Sequence, residues 1–81
     1  MFWHNLPFHQ VDAFMKNRLR ELRTERGWTQ EDLGNKLGVS RFAVIALETD
    51  KHDPSLDLAY RLSSIFRLPL EQIFENPYWL D

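Results

Sequence analysis

Few residues in this 81-residue chain are suited to catalysis or metal binding. There is no cysteine, so disulfide bonds and thiolate metal sites are excluded, and a cytoplasmic location fits. His4 and His9 lie five residues apart, a poor spacing for two ligands on one helix, and we interpret them and His52 as surface histidines. The sequence shows no Ser–His–Asp or Cys–His pattern and no glycine-rich phosphate loop. It therefore predicts no metal, no cofactor and no enzyme activity.

The polar residues with a clearer purpose stand at the beginnings of two short predicted helices within residues 27–48, GWTQEDLGNKLGVSRFAVIALE. Thr29 begins the first helix, and Asp32 occupies the position that completes a capping box. Ser40 caps the second helix, residues 41–48, after a turn that contains a glycine. Gly34, inside the first helix, is interpreted as a point of close helix approach. Two helices joined by so tight a turn are typical of a DNA-binding helix-turn-helix, whose second helix enters the major groove.

The rest of the chain predicts further helices around this pair. Helical periodicity or capping residues indicate helices over residues 15–26, 55–66 and 69–74, and no useful stretch alternates with period two. We therefore expect an all-α fold of five helices. Its predicted divisions are an N-terminal extension, residues 1–14, the helix-turn-helix domain, residues 15–75, and a C-terminal tail, residues 76–81.

Composition is consistent with one small folded domain. Hydrophobic residues make up 43% of the chain, and no apolar run approaches the roughly 20 residues of a membrane span. The N-terminus does not resemble a signal peptide. The formal charge is −2, but the segment from Lys16 to Arg67 contains all ten basic residues and eight acidic ones, a net of +2. Phosphate contacts act locally, so such a chain can still bind DNA.

These motifs resemble those of the lambda-repressor/Cro family of transcriptional regulators, also called the xenobiotic-response-element family. The resemblance covers about residues 15–74 and rests on LRELRTERGWTQEDLGNKLGVSR, ALE, DPSLDLAYRL and LPLEQIF. It implies five packed helices and a homodimer that binds a two-fold symmetric operator in double-stranded DNA. It also implies an ion pair between Arg23 and Glu48 that fixes one helix against another. The residues expected to bind DNA are Thr29, Gln30, Ser40, Arg41, Phe42, Ala43, Ile45, Ala46 and Lys51.

Each of these assignments has a plainer alternative. Thr29 and Gln30 suit phosphate contact at a helix start, but the same residues suit ordinary capping. Arg41 can bind guanine or a phosphate, or it can be a solvated surface arginine. Lys51 can likewise reach a phosphate or stay exposed. Removing one partner of the ion pair would cost about 3–5 kcal/mol if the pair is buried, whereas an exposed pair would contribute under about 1 kcal/mol.

The second helix of the motif departs from the family pattern. A helical wheel turns Val44 and Leu47 towards the core and leaves Phe42 and Ala46 on the opposite side, flanked by Ile45. Family members commonly carry polar side chains on that outward face. Three interpretations are open: the apolar groups contact thymine methyls, DNA shape supplies the specificity, or the face binds protein.

The sequence thus predicts a sequence-specific DNA-binding regulator, a repressor acting as a homodimer on a palindromic operator. The alternative is a protein-interaction module on the same fold, antitoxin-like or a partner of another regulator, that uses the apolar face. Aromatic residues in the extension and in the tail, such as Trp3 and Trp79, are candidates for a dimer contact or for packing on their own domain.

Overall fold

The computed structural model describes residues 16–49, 51–76 and 78. It contains four α-helices, followed by one short 3₁₀ helix: α1 (Leu19–Glu25), α2 (Gln30–Leu37), α3 (Arg41–Glu48), α4 (Leu56–Phe66) and the 3₁₀ helix (Leu70–Gln72). No strand occurs in this described part, which confirms an all-helical domain. The predicted N-terminal extension and most of the C-terminal tail, with His4 and His9, lie outside these residues.

The predicted fifth helix is wrong in type and length, because a single 3₁₀ turn stands in its place. The chain leaves that turn to pair with the segment before α1. Asn17 and Phe74 form an antiparallel bridge, the Arg18 N–H donates to the Ile73 carbonyl at 2.9 Å, and the Glu75 N–H donates to the Lys16 carbonyl at 2.8 Å. Backbone groups used in these bonds are unavailable for continuing a helix.

The same pairing delays the start of α1, which begins at Leu19 rather than near residue 15. The side chain of Asn17 stabilises this start in two ways. Its Oδ1 accepts a hydrogen bond from the Leu19 N–H at 3.0 Å, and its Nδ2 donates to the Leu47 carbonyl near the end of α3 at 2.7 Å. Asn17 therefore fixes the beginning of α1 against the end of α3. The helix ends where predicted, before Gly27 with its φ of 71°.

The core lies where α2 packs on α3 and α4, with α1 against α3 and the 3₁₀ helix against α4. Burying one large aliphatic or aromatic side chain contributes about 1.5–3 kcal/mol, so the buried apolar side chains of this core supply most of the driving force for folding. Helix α3 contributes two buried apolar side chains to it and leaves the following at least partly exposed: Arg41, Phe42, Ala43, Ile45 and Ala46. The core comprises Leu19, Leu22, Leu33, Leu37, Val44, Leu47, Leu62, Phe66, Ile73 and Phe74.

The turn between α2 and α3 is as tight as the sequence predicts. Gly38 adopts a left-handed φ of 78°, and its N–H donates to the Gly34 carbonyl at 2.8 Å. A Cβ on Gly34 would lie 2.8 Å from the Val39 carbonyl oxygen, closer than such atoms approach. The glycine thus lets the turn fold back onto α2, as expected from a close approach. That contact fixes the angle at which α3 leaves the turn.

None of the helices within the described residues is long and apolar enough to cross a membrane. The same residues hold no group of three or more histidine and carboxylate side chains that could bind a metal ion.

Candidate nucleic-acid interface

A complete capping box begins α2. The Thr29 Oγ1 accepts a hydrogen bond from the Asp32 N–H at 2.9 Å, and the Asp32 Oδ2 accepts one from the Thr29 N–H at 2.8 Å. The hydrogen bond from the Thr29 backbone, together with that residue's side chain, lowers the pKa of Asp32 below its ordinary value. Thr29 therefore serves the cap, and it also remains exposed at the helix start where a phosphate contact is predicted.

Gln30, the second predicted phosphate contact, is half-buried and has a structural partner. Its Nε2 donates to the Glu48 Oε1 at 3.1 Å, which links the beginning of α2 to the end of α3. The structure therefore directs this side chain towards α3. Its contact with phosphate stays a prediction.

Arg23 and Glu48 meet in a bidentate ion pair. The Arg23 Nε lies 2.6 Å from Glu48 Oε2, and the Arg23 Nη2 donates to Glu48 Oε1 at 3.1 Å. The side chains are only 10% and 4% exposed, respectively. The Arg23 Nη1 also donates to the Trp28 carbonyl at 2.9 Å. Through this pair α1, the loop before α2 and the end of α3 share one hydrogen-bonded network, which geometrically suits a structural role.

The first turn of α3 exposes a cation and an aromatic ring. The Ser40 Oγ accepts a hydrogen bond from the Ala43 N–H at 3.1 Å and so caps the helix. Arg41 follows, exposed, with its guanidinium carbon 5.1 Å from the centre of the Phe42 ring. The Phe42 side chain is 70% exposed. No ion pair found between described residues involves Arg41.

The outward face of α3 is apolar apart from Arg41. Val44 and Leu47 are buried, whereas Ala43, Ile45 and Ala46 stay partly exposed beside Phe42. Glu48 is held in the ion pair, and the Thr49 hydroxyl beyond the helix donates back to the Ile45 carbonyl at 2.9 Å. Among the described side chains of this face, Arg41 is therefore the one that offers hydrogen-bond donors to a ligand. Lys51 is exposed after the helix, and its backbone N–H donates to the Ala46 carbonyl at 3.2 Å.

One residue was missed by sequence reasoning. Arg20, exposed on α1, lines an open hollow together with Thr29 and Gln30 at the beginning of α2. It adds a positive charge beside the helix start where phosphate contact is predicted. Arg20 lies three residues before Arg23 and therefore about one turn away on α1. This spacing is the feature of the sequence that could have indicated Arg20.

Comparison with known proteins decides the family. The helix-turn-helix family model matches residues 19–73, which contain the whole of this site. This chain is a helix-turn-helix protein of the Cro/C1 type. Its family is one of DNA-binding regulators and not of enzymes, and the matched residues include α2, the turn and α3.

Individual relatives agree with this assignment. The chain is 50% identical over 60 residues to the uncharacterized HTH-type transcriptional regulator MJ0272 of Methanocaldococcus jannaschii, covering 74% of this chain and 91% of that protein. It is 40% identical over 67 residues to the HTH-type regulator YgzD of Bacillus subtilis, covering 83% and 96% of the two chains. Among solved structures, the restriction-modification controller protein C.AhdI of Aeromonas hydrophila superposes with a TM-score of 0.62 at 33% identity, over 68% of this chain and 83% of that one.

Proposed function

We propose that this helix-turn-helix protein is a sequence-specific transcriptional repressor that binds a palindromic operator as a homodimer. Each protomer inserts α3 into a major groove, and the two grooves lie one helical turn, about 34 Å, apart. Bound in this way, the dimer represses by occluding the polymerase. Sedimentation of the free protein and of its DNA complex measures the stoichiometry, and a single protomer on a symmetric operator would contradict the homodimer.

The observation that carries the proposal is the exposed first turn of α3. A cation at a helix N-terminus is disfavoured by the helix dipole by about 0.3–1 kcal/mol, and α3 has no acidic residue in its first turn to offset it. Phe42 likewise leaves most of its apolar surface in water. Neither residue is placed where it would stabilise the fold. Both are placed where an α-helix entering the major groove would contact base edges.

Few phosphate contacts accompany this base readout. Two exposed basic side chains are assigned to phosphate, Arg20 beside the beginning of α2 and Lys51 after α3, while Glu31 and Asp32 in the first turn of α2 repel phosphate. Two contacts in each protomer neutralise about four phosphates in the dimer. The logarithm of the binding constant should then fall with the logarithm of salt concentration with a slope of about −3.6.

The test is a fluorescence-anisotropy titration with labelled duplexes from the region upstream of the gene and with random duplexes of equal length. Arg41→Gln removes the guanidinium, and Arg67→Gln, at an exposed arginine after α4, is the matched control. We expect Arg41→Gln to lose about 5- to 150-fold in affinity for each half-site, the value of one bidentate base contact, and Arg67→Gln to change little. Wild-type binding that is weak and equal on both duplexes, even at low salt, would contradict the proposal.

The exposed Phe42 ring also suits a second function, a contact with a protein partner of the antitoxin or co-regulator kind. Phe42→Gln separates the two, because it restores the polar character common in the family. Retained or increased DNA affinity with loss of a co-purifying partner would favour the protein-binding function. Reduced DNA affinity with no change in partners would favour readout of bases by α3.

A further inference from the structure

Arg41 and Phe42 act as one unit at the beginning of α3. The guanidinium carbon lies over the Phe42 ring, 5.1 Å from its centre, so the two side chains are in cation–π contact. That contact restricts the arginine before DNA arrives and reduces the entropy lost on binding. The guanidinium N–H groups lie in its plane and stay available at its edge. The Arg41–Phe42 unit therefore offers a hydrogen-bonding edge directly beside an apolar surface.

One arrangement in the major groove is complementary to such a unit. Guanine presents two acceptors, O6 and N7, that fit a guanidinium, and the pyrimidine 5-methyl is the apolar group of the groove. Neighbouring bases on one strand are about 3.4 Å apart. A guanine beside a 5-methylpyrimidine thus presents two hydrogen-bond acceptors next to a methyl group. The acceptors and the methyl group are close enough for the Arg41–Phe42 unit to contact both.

We propose that the Arg41–Phe42 unit selects a guanine that has a 5-methylpyrimidine beside it on the same strand. Arg41 donates hydrogen bonds to the guanine. Phe42 covers the methyl group and holds the guanidinium in position, and so determines specificity together with Arg41. This rests on the proposed function, since it requires α3 to lie in the major groove.

A consequence is sensitivity to cytosine methylation. Thymine and 5-methylcytosine carry the same methyl group but differ at C4, where thymine has an acceptor and cytosine a donor. A phenyl ring hydrogen-bonds neither of these groups. To Phe42 a cytosine methylated at C5 is therefore equivalent to thymine, and binding responds to the methylation state of the operator.

The experiment uses the full chain and a duplex selected from a random pool. In one half-site only, the pyrimidine beside the contacted guanine is varied as thymine against uracil and as 5-methylcytosine against cytosine, so each pair differs by one methyl group. Competition anisotropy should show about four-fold weaker binding without the methyl in both pairs, which converts to about 0.8 kcal/mol for one buried methyl group. Equal binding of thymine and uracil by the wild type would overturn the inference.

Variants identify the side chain responsible. Phe42→Ala should bind the members of each pair equally, and Phe42→Leu, which keeps an apolar side chain, should retain part of the difference. Tyr60→Ala removes an aromatic ring of similar exposure, 59%, from α4 and should keep the full response. A methyl response that survives in Phe42→Ala would overturn the inference, as would a selected operator without a 5-methylpyrimidine beside guanine. Failure to select any DNA sequence would instead overturn the proposed function.

Discussion

Replacing Glu48 with alanine should severely destabilise the domain. The substitution removes the carboxylate that pairs with the Arg23 guanidinium through two contacts of 2.6 and 3.1 Å. It also leaves the Gln30 amide without its acceptor. Arg23 is 8% exposed and keeps its hydrogen bond to the Trp28 carbonyl, so a nearly buried charge is left without a counter-charge.

The expected loss is large relative to the total stability. Breaking a buried ion pair by removing one partner costs about 3–5 kcal/mol. A domain of this size has about 3–9 kcal/mol in all, at about 0.05–0.15 kcal/mol per residue. Even the lower loss corresponds to a fall in melting temperature of about 12–24 °C. Glu48→Ala should therefore be partly unfolded at 37 °C.

Urea denaturation followed by circular dichroism measures the free energy of unfolding directly. Glu75→Ala, at an exposed carboxylate, is the matched control and should stay within about 0.5 kcal/mol of the wild type. The double replacement Arg23→Leu with Glu48→Leu should recover most of the loss, because no unpaired charge is then buried. A loss below about 1 kcal/mol for Glu48→Ala would show that the pair contributes no more than an exposed one and would contradict its buried structural role.

Three further predictions follow from other contacts. Asp32→Ala should lower stability at pH 7, and in urea melts the difference from wild type should begin to shrink below about pH 4 and fall further as pH passes through the lower folded pKa of Asp32; a difference independent of pH would contradict this. The lowered pKa of Asp32 means that its stabilisation is present above the unfolded pKa and is lost as the carboxylate protonates. Gly34→Ala should destabilise by about 1–3 kcal/mol in the same assay, because the added Cβ meets the Val39 carbonyl at 2.8 Å; an unchanged midpoint would contradict this. Arg41→Gln should melt at or slightly above the wild-type temperature, and a marked fall would give Arg41 a structural role.

The helix-turn-helix was predictable from sequence because its determinants are local. Thr29 and Ser40 cap the helices that follow them, and Gly38 supplies the left-handed residue between the helices. Helical periodicity then decided which side of α3 is buried, and Val44 and Leu47 are indeed inaccessible.

The predictions from sequence are wrong where two segments far apart in the chain pair with each other. Residues 16–18 pair with residues 73–75, and this pairing shortens α1 and replaces the fifth helix with a 3₁₀ turn. Nothing in either segment alone indicates a partner more than 50 residues away. The bond from Asn17 to the Leu47 carbonyl escaped prediction for the same reason.

Within the site, residue positions were predictable and side-chain directions were not. The helical wheel placed Phe42 on the outward face, as observed. The family resemblance predicted the contact between Arg23 and Glu48. Neither indicated that Gln30 turns towards Glu48 or that Arg41 rests on Phe42. Long polar side chains have several accessible rotamers. Tertiary neighbours determine which one is populated, and the local sequence does not specify those neighbours.

In the proposed function, the exposed face of α3 reads DNA sequence. Selection of bound duplexes from a random pool, with wild type and Arg41→Gln in parallel at one salt concentration, tests it most directly. The wild type should enrich a two-fold symmetric motif with a guanine in each half-site and half-sites about 34 Å apart, and Arg41→Gln should lose the preference for that guanine. A wild-type pool that stays random, or a guanine preference unchanged in Arg41→Gln, would contradict this readout.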